Sequence, residues 1–206
     1  MNKNKKLAIY GGPKVFSKKL NHFYWPPKSS RKKINFINNF IKKDKLNKRG
    51  FPIVVEKFEK KFAKLIGTKY ACGVNSGTDA IKLSLKVLGV KAGDEVITAA
   101  NTFVATIGAI TEIGAKPIFV DCDDTFCMNV DQIVSKITKK TKAIVPVHFT
   151  GYMVDMVKLK KISKKYGVPI IEDACQSILG AINGKKAGTW GEMGAFSLHP
   201  LKNINV

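Results

Sequence analysis

Residues 142–173 read KAIVPVHFTGYMVDMVKLKKISKKYGVPIIED, and this stretch decides the fold class. Its two ends, 142–148 and 168–173, are short β-branched runs with few polar positions, which is typical of strands that helices cover on both faces. Between them lies a helix-like segment at residues 154–166. Two such strands joined by one helix form a parallel β-α-β unit.

The same alternation continues in both directions along the chain. Further strands are predicted at residues 70–75, 95–100, 117–121 and 193–198, and further helices at residues 31–43, 78–88, 103–113 and 129–137, with one more helix that ends at Gly67. Strands that alternate with helices of this length predict an α/β protein, a three-layer αβα sandwich with a mostly parallel sheet. An irregular, basic lead-in is predicted over residues 1–50 and one domain over residues 51–206.

The net charge of +21 raises the question of nucleic-acid binding, because clustered basic residues neutralise phosphates. The excess is almost all lysine, since Arg31 and Arg49 are the only arginines. These lysines are spread along apparent solvent faces without interleaved aromatic residues, and base-reading contacts favour arginine. We therefore expect a solvated, lysine-biased surface and no nucleic-acid partner.

Membrane, export and metal signals are absent from the sequence. No stretch approaches the roughly 18 continuous apolar residues of a membrane span, and the apolar piece near the N-terminus is too short for a signal peptide. Cys72, Cys122, Cys127 and Cys175 form no C-x-x-C pair, which favours structural thiols in a reducing compartment over a metal site. We expect a cytoplasmic protein that binds no metal and no membrane.

The first group of candidate site residues follows the strand predicted at 70–75. Ligands of an open parallel sheet bind beyond the carboxyl ends of its strands. In NSGTDA, small residues make a tight turn before a helix, where free N–H groups and the helix dipole favour an anion. Gly77 and Thr78 are therefore candidates for holding a phosphate, although Ser76 or Thr78 could simply cap the helix.

The second group follows the last two predicted strands. Asp173 ends VPIIED, where its carboxylate could pair with a protonated pyridine nitrogen or cap the turn that follows. Gln176 lies three residues further on and offers an amide to a ring hydroxyl. In GAFSLHPLKN, Ser197 presents a hydroxyl, and Lys202 presents an amine beside apolar surface, a setting that makes a lysine nucleophilic. Most other lysines belong to a solvated face.

Several stretches, in this order, closely resemble the DegT/DnrJ/EryC1/StrS family of fold-type-I, pyridoxal-phosphate-dependent sugar aminotransferases. They are NSGTDAI, GDEVITAANTFVAT, GAKPIFVD, AIVPVHFTG, GVPIIEDACQS and GAFSLHPLKNI. The opening LAIYGGPKVF and the later WPP are similar to the N-terminus of that family. The resemblance covers essentially the whole chain, and Asp-x-x-Gln followed by Ser-x-x-x-x-Lys is its most specific part.

The resemblance implies a role for each residue that matches the family pattern. Lys202 is expected to form the Schiff base with pyridoxal 5'-phosphate and to move the proton during transamination. Asp173 is expected to pair with the pyridine nitrogen and Gln176 to contact the ring hydroxyl. Phe103, in NTFVAT, matches the aromatic residue that stacks on the ring, unless it is a core phenylalanine.

The phosphate of the cofactor is expected, on the same resemblance, to be held by Gly77, Thr78 and Ser197. The two histidines nearest these motifs have no cofactor role in this interpretation. His148 is expected to be a structural residue at a strand end, and His199 is left without a role.

The resemblance also implies the reaction and the partners. Glutamate (or glutamine) would donate an amino group to a nucleotide-linked keto sugar, and the complete enzyme would be a homodimer. Related sugar dehydratases have a histidine in place of Lys202, so transamination is favoured. Family members are considerably longer than this chain, which predicts an N-terminal fragment without the smaller C-terminal domain. The alternative is a truncated, catalytically inactive interaction polypeptide of the same fold.

Overall fold

The computed structural model describes residues 30–42 and 53–202. The chain divides into two compact units, residues 1–39 and residues 40–206, and only residues 30–39 of the first unit are described. The predicted domain boundary after residue 50 lies outside the described residues and stays a prediction. The stretches LAIYGGPKVF and WPP also lie outside them.

Helices and strands alternate from residue 77 to residue 173, close to the predicted positions. The helices are α1 (Arg31–Lys42), α2 (Ile53–Ile66), α3 (Gly77–Val87), α4 (Val104–Thr111), α5 (Ile133–Lys136) and α6 (Met156–Tyr166). The strands are β1 (Glu95–Ala99), β2 (Lys116–Val120), β3 (Thr141–Val145), β4 (Ile171–Asp173), β5 (Ala181–Ile182), β6 (Lys185–Lys186) and β7 (Met193–Ala195). The helix predicted at 129–137 is a 3-10 turn, Val130–Gln132, followed by α5.

The main sheet is parallel, as the sequence predicts. Strand β1 pairs with β2 on one side and with β3 on the other, and β4 pairs with β7. Two isolated parallel bridges, Ile144 with Ile170 and Val147 with Asp173, join β3 to β4 and give the order β2-β1-β3-β4-β7. Because Pro146 and Pro169 have no N–H to donate, the pairing between these two strands is interrupted.

Both faces of the sheet are covered by helices. Val96 and Ile97 are neighbours on β1, and neither has any exposed surface. Successive side chains of a strand point to opposite faces, so Val96 packs in a cluster with α3 and α4, and Ile97 packs in one with α5 and α6. The buried Thr98 hydroxyl donates to the Val145 carbonyl oxygen at 2.9 Å, which satisfies its polar group. The three-layer αβα prediction is confirmed.

The strand predicted at residues 70–75 is wrong, because these residues are irregular in the structure. Tyr70 is 76% exposed and Val74 is 40% exposed. The backbone N–H of Gly73 donates to the Glu59 carboxylate at 2.6 Å. No strand in the described part of the chain pairs with this run. A run of strand-forming residues needs a neighbouring strand to satisfy its backbone groups.

A short hairpin of β5 and β6 was not predicted. The two strands pair antiparallel around Asn183 and Gly184, whose φ angles are 51° and 77°. Two central residues with positive φ make the tight turn for which an Asn-Gly pair is the strongest short signal. The signal was therefore present in the sequence. The hairpin leads the chain from β4 back towards β7.

No helix in the described ranges is both long enough and apolar enough to cross a membrane. Within the same ranges, no group of three or more His, Cys, Asp or Glu side chains is arranged to hold a metal ion. The absence of a metal stays a prediction.

Candidate active site

The seven residues predicted for the site all line one cavity of about 1260 Å³. They are Gly77, Thr78, Phe103, Asp173, Gln176, Ser197 and Lys202. Asp173 is the last residue of β4, and Ser197 follows β7 by two positions. The cavity therefore opens at the carboxyl ends of parallel strands, which is the expected place for a ligand in this class of fold.

One wall of the cavity is the N-terminus of α3. The Ser76 side chain caps this helix by accepting a hydrogen bond from the Asp79 N–H at 3.1 Å, so the capping role considered for Ser76 is correct. Among the described residues, no protein group accepts from the backbone N–H of Gly77 or Thr78. The Asp79 carboxylate is paired with Lys82 at 2.8 Å, and this contact lowers the pKa of Asp79. The N–H groups of Gly77 and Thr78, together with the dipole of α3, therefore suit this end of the helix to bind an anion.

Gly77 is required because three chain segments meet at its Cα atom. A Cβ atom at this position would lie 2.8 Å from the Cys175 Sγ and 3.3 Å from the Ser197 Cβ. Cys175 belongs to the loop after β4, and Ser197 belongs to the loop after β7. Any side chain would push these loops away from the start of α3.

Asp173 is 5% exposed, and each of its carboxylate oxygens already accepts one hydrogen bond. The Oδ1 atom accepts from the Cys175 N–H at 3.1 Å, so the carboxylate does cap the turn that follows β4. The Oδ2 atom accepts from the Thr106 hydroxyl at 2.8 Å. A carboxylate oxygen has two lone pairs, so the group keeps acceptor capacity for a ligand in the cavity.

Lys202 and Phe103 approach each other at the cavity. The Lys202 Nζ lies 5.6 Å from the centroid of the Phe103 ring, within the usual range of a cation–π contact. Phe103 is 62% exposed at the N-cap of α4, so the alternative that it is a core phenylalanine is wrong. Lys202 is half-buried where it lines the cavity.

Gln176 and the loop after β7 are shaped by hydrogen bonds to the backbone. The Gln176 Oε1 accepts from the Thr150 N–H at 3.2 Å, which leaves its amide nitrogen as the donor. The Ser197 hydroxyl oxygen accepts from the His199 N–H at 3.3 Å, and the His199 Nδ1 accepts from the Leu201 N–H at 3.2 Å. These two bonds hold the turn that carries Lys202, and they give His199 a local structural contact.

A second, fully buried polar cluster lies behind the site on β4. Glu172 precedes Asp173 and is not exposed at all. Its carboxylate accepts from three backbone N–H groups of the segment after β6, those of Gly188, Trp190 and Gly191, at 2.9, 2.6 and 2.8 Å. It also contacts the His148 Nε2 at 3.1 Å. Glu172 was not among the predicted site residues, although two consecutive acids at a strand end must point to opposite sides of the sheet.

His148 is structural, as predicted, and its tautomer follows from its two contacts. The ring is fully buried, and its Nδ1 accepts from the Val154 N–H at 3.3 Å. A nitrogen that accepts carries no proton, so the proton of a neutral ring is on Nε2 and is donated to Glu172. The buried Glu172 carboxylate is therefore surrounded by four donors.

Cys175 is a thiol at the cavity that the sequence analysis took for a structural residue. Burial raises the pKa of this thiol, and the neighbouring Asp173 carboxylate raises it further, while the Lys202 ammonium acts weakly in the opposite direction. All four cysteines are free thiols, and Cys72 is exposed. Cys175 consequently stays protonated at neutral pH.

We expect iodoacetamide at pH 8 to label Cys72 readily and to leave Cys175 unmodified in the folded protein, because alkylation requires the thiolate. Peptide mass spectrometry after timed labelling measures both positions in one sample. The same reaction in denaturant is the control, where both thiols should react. Equal labelling of Cys175 and Cys72 in the folded protein would contradict the buried, protonated thiol.

The family of the chain follows from comparison with known proteins. The model of the DegT/DnrJ/EryC1/StrS aminotransferase family matches residues 28–206. The chain belongs to this family. The sequence resemblance is thus confirmed, and the parallel α/β architecture agrees with it.

Named relatives of this family are similar to the chain over most of its length. It is 42% identical over 153 residues to dTDP-3-amino-3,4,6-trideoxy-α-D-glucose transaminase of Micromonospora megalomicea subsp. nigra, covering 74% of this chain and 41% of that protein. It is 37% identical over 183 residues to GDP-perosamine synthase of Escherichia coli O157:H7, covering 88% of this chain and 50% of that protein. The chain thus spans half or less of the length of these two relatives.

A solved structure is also similar to the chain. The NtdA protein of Bacillus subtilis, solved with bound cofactor PMP, matches with a TM-score of 0.76 and 35% sequence identity. The match covers 86% of this chain and 40% of that protein.

Proposed function

We propose that this chain supplies the cofactor-binding residues of a pyridoxal-phosphate-dependent aminotransferase that transfers an amino group from glutamate (or glutamine) to a nucleotide-linked keto sugar. The observation that carries the proposal is the presence of one half-buried amine, Lys202, and one buried carboxylate, Asp173, on the same cavity. Family membership and the cofactor of the B. subtilis relative support it.

The residues around the cavity fit pyridoxal phosphate group by group. The N–H donors of Gly77 and Thr78 suit a phosphate, and Ser197 is close enough that a Cβ atom at Gly77 would lie 3.3 Å from its Cβ. Asp173 suits a protonated pyridine nitrogen, because opposite charges stabilise each other strongly in a buried site. The amide nitrogen of Gln176 suits a ring hydroxyl.

The chemistry divides between the cofactor and the chain. Pyridoxal phosphate, when bound, supplies the electron sink, and the protein supplies binding, orientation and control of protons. Lys202 would carry the cofactor covalently and hold or deliver the transferred proton at its Nζ atom. Asp173 would keep its charge facing the ring, and Phe103 would cover the ring and shield it from water.

The substrate class is proposed from the relatives. The two curated relatives named above carry dTDP- and GDP-linked sugar names, which favours a nucleotide-linked keto sugar. Position 202 is lysine, the residue that transamination needs and that related dehydratases lack.

The test of this proposal uses the complete gene product reconstituted with pyridoxal phosphate. With glutamate alone we expect about one 2-oxoglutarate per site, because a ping-pong enzyme keeps the nitrogen on its cofactor. Addition of dTDP- or GDP-linked 3-keto or 4-keto sugars should then yield the amino sugar, detected by mass spectrometry. A folded protein that releases neither 2-oxoglutarate from glutamate nor 2-oxoglutaramate from glutamine would refute the aminotransferase proposal. Failure to bind pyridoxal phosphate as well would favour the inactive interaction polypeptide.

The assembly and location belong to the same proposal. A homodimer follows from the resemblance, and sedimentation of the complete protein measures it. A cytoplasmic location is supported by the four free thiols, because such thiols persist in reducing compartments.

A further inference from the structure

The hydroxyls of Thr102 and Thr106 form a chain of hydrogen bonds that ends at the Asp173 carboxylate. Thr106, on the first turn of α4, is 1% exposed, and its Oγ1 lies 2.8 Å from the Asp173 Oδ2. The Thr102 Oγ1 lies 2.9 Å from the Thr106 Oγ1. Neither threonine was singled out by the sequence, because a threonine beside a helix start is more often a cap or a surface residue.

The direction of these hydrogen bonds follows from the chemistry of the groups. An ionised carboxylate has no proton to donate, so Thr106 must donate its single hydroxyl proton to Asp173. The Thr106 oxygen can then only accept from Thr102, and Thr102 is the donor in that pair. Both hydroxyl protons therefore point towards the carboxylate. Hydrogen bonds in such a chain polarise one another, and each strengthens the next.

This chain of hydrogen bonds, from Thr102 through Thr106 to Asp173, is called the relay, and hydrogen bonds to other protein groups hold both of its ends. The Cys175 N–H holds the other oxygen of Asp173 at 3.1 Å, which fixes the plane of the carboxylate. At the far end, the Asn101 side chain donates to the Phe126 carbonyl oxygen at 3.1 Å and holds the loop that carries Thr102. Phe103 lies in the same loop and contacts Lys202. The segment that carries Thr102, Phe103 and Thr106 thus contacts Asp173 through the threonine hydroxyls and Lys202 through the phenylalanine ring.

We propose that Thr106 is a positioning residue that holds the Asp173 carboxylate in its orientation towards the cavity, with Thr102 as the outer donor of the relay. This inference rests on the proposed function, because it assigns Asp173 to the cofactor ring. It adds that the orientation of the acid depends on α4. Two directional hydrogen bonds, one to each oxygen, restrict the rotation of the carboxylate.

The experiment compares variants of the complete protein reconstituted with pyridoxal phosphate. Thr106→Val removes the hydroxyl and keeps the shape, Thr106→Ser keeps the hydroxyl, and Asp173→Asn is the reference for a lost charge. The midpoint of the pH titration of cofactor absorbance and the Kd for pyridoxal phosphate are measured. Thr111→Val is the matched control, because Thr111 is exposed on the same helix and its hydroxyl bonds only to the Gly108 carbonyl.

We expect Thr106→Val to move the titration midpoint in the same direction as Asp173→Asn but by less. Its Kd should rise by roughly 10-fold, in the range of one hydrogen bond to a charged group. Thr106→Ser should restore both values to near those of the parent protein, and Thr111→Val should change neither. Thr102→Val, which removes only the outer donor, should shift the midpoint in the same direction by the smallest amount.

Each failure has a separate meaning. A midpoint that moves in Asp173→Asn but stays fixed in Thr106→Val and Thr102→Val overturns the relay and leaves the proposed function intact. A midpoint and Kd unchanged in Asp173→Asn itself overturn the assignment of Asp173, and the relay with it. If Thr106→Val does not fold, Thr102→Val decides: a midpoint that moves in Asp173→Asn but keeps the parent value in Thr102→Val overturns the relay.

Discussion

Replacing Lys202 with alanine is expected to abolish covalent attachment of pyridoxal phosphate and nearly all aminotransferase activity of the complete protein. Lys202 is the half-buried lysine that contacts Phe103 at the cavity. Loss of a general acid–base alone costs roughly 10²- to 10⁴-fold in rate, and loss of the covalent anchor adds to it. Borohydride reduction followed by peptide mass spectrometry should find the reduced cofactor on Lys202 in the parent protein.

Lys139→Ala is the matched control for this experiment. Lys139 is exposed in the loop before β3 and does not line the cavity. Its alanine variant should keep both cofactor attachment and turnover, which separates the role of one lysine from the general charge of a lysine-rich protein. A reducible cofactor adduct that persists in Lys202→Ala would place the anchor on another lysine and end the assignment.

The fold could be predicted from the sequence wherever local pattern and burial agree. On β1 and β3, residues such as Val96 and Ile144 have no exposed surface because helices cover both faces, so each strand reads as a short β-branched run. The run at 70–75 has the same local pattern, yet it is irregular because its neighbours in the described chain provide no pairing strand. Strand formation depends on a pairing strand that is often distant in sequence, and periodicity carries no information about that strand.

The site could be predicted residue by residue only where a motif carries the chemistry. Asp173 ends β4, Gly77 begins α3, and Lys202 lies in the loop that follows β7, at the edge where the parallel sheet binds ligands. Thr106 and Glu172 were not predicted as site residues because their roles depend on partners far along the chain. Thr106 contacts a residue 67 positions away, and Glu172 contacts His148, 24 positions away. The local sequence shows that a threonine or an acid is present. Only the fold shows which group it meets.

Glu172→Ala is expected to produce the largest loss of stability among single substitutions near the site. The carboxylate accepts from His148 and from the backbone N–H groups of Gly188, Trp190 and Gly191 in a fully buried position. Removal leaves these donors without an acceptor, and breaking a buried charged cluster typically costs about 3–5 kcal/mol. Urea unfolding monitored by tryptophan fluorescence, with Trp190 as a local probe, measures the change in the free energy of unfolding.

Stability is lost because Glu172 holds residues 188–191 in place. Gly188 packs so closely on Phe196 that a Cβ atom at Gly188 would lie 2.3 Å from the ring, and Phe196 precedes Ser197. Releasing the segment should therefore also loosen the loop that carries Lys202. Glu172→Gln should fail to rescue fully, because an amide offers one acceptor oxygen and turns two donors towards the N–H groups.

Glu192→Ala is the control: its exposed side chain pairs with Lys160 at 3.5 Å, and surface changes of this kind stay within about 0.5 kcal/mol. If Glu172→Ala were no less stable than Glu192→Ala, the buried carboxylate could not be what fixes this segment against the sheet.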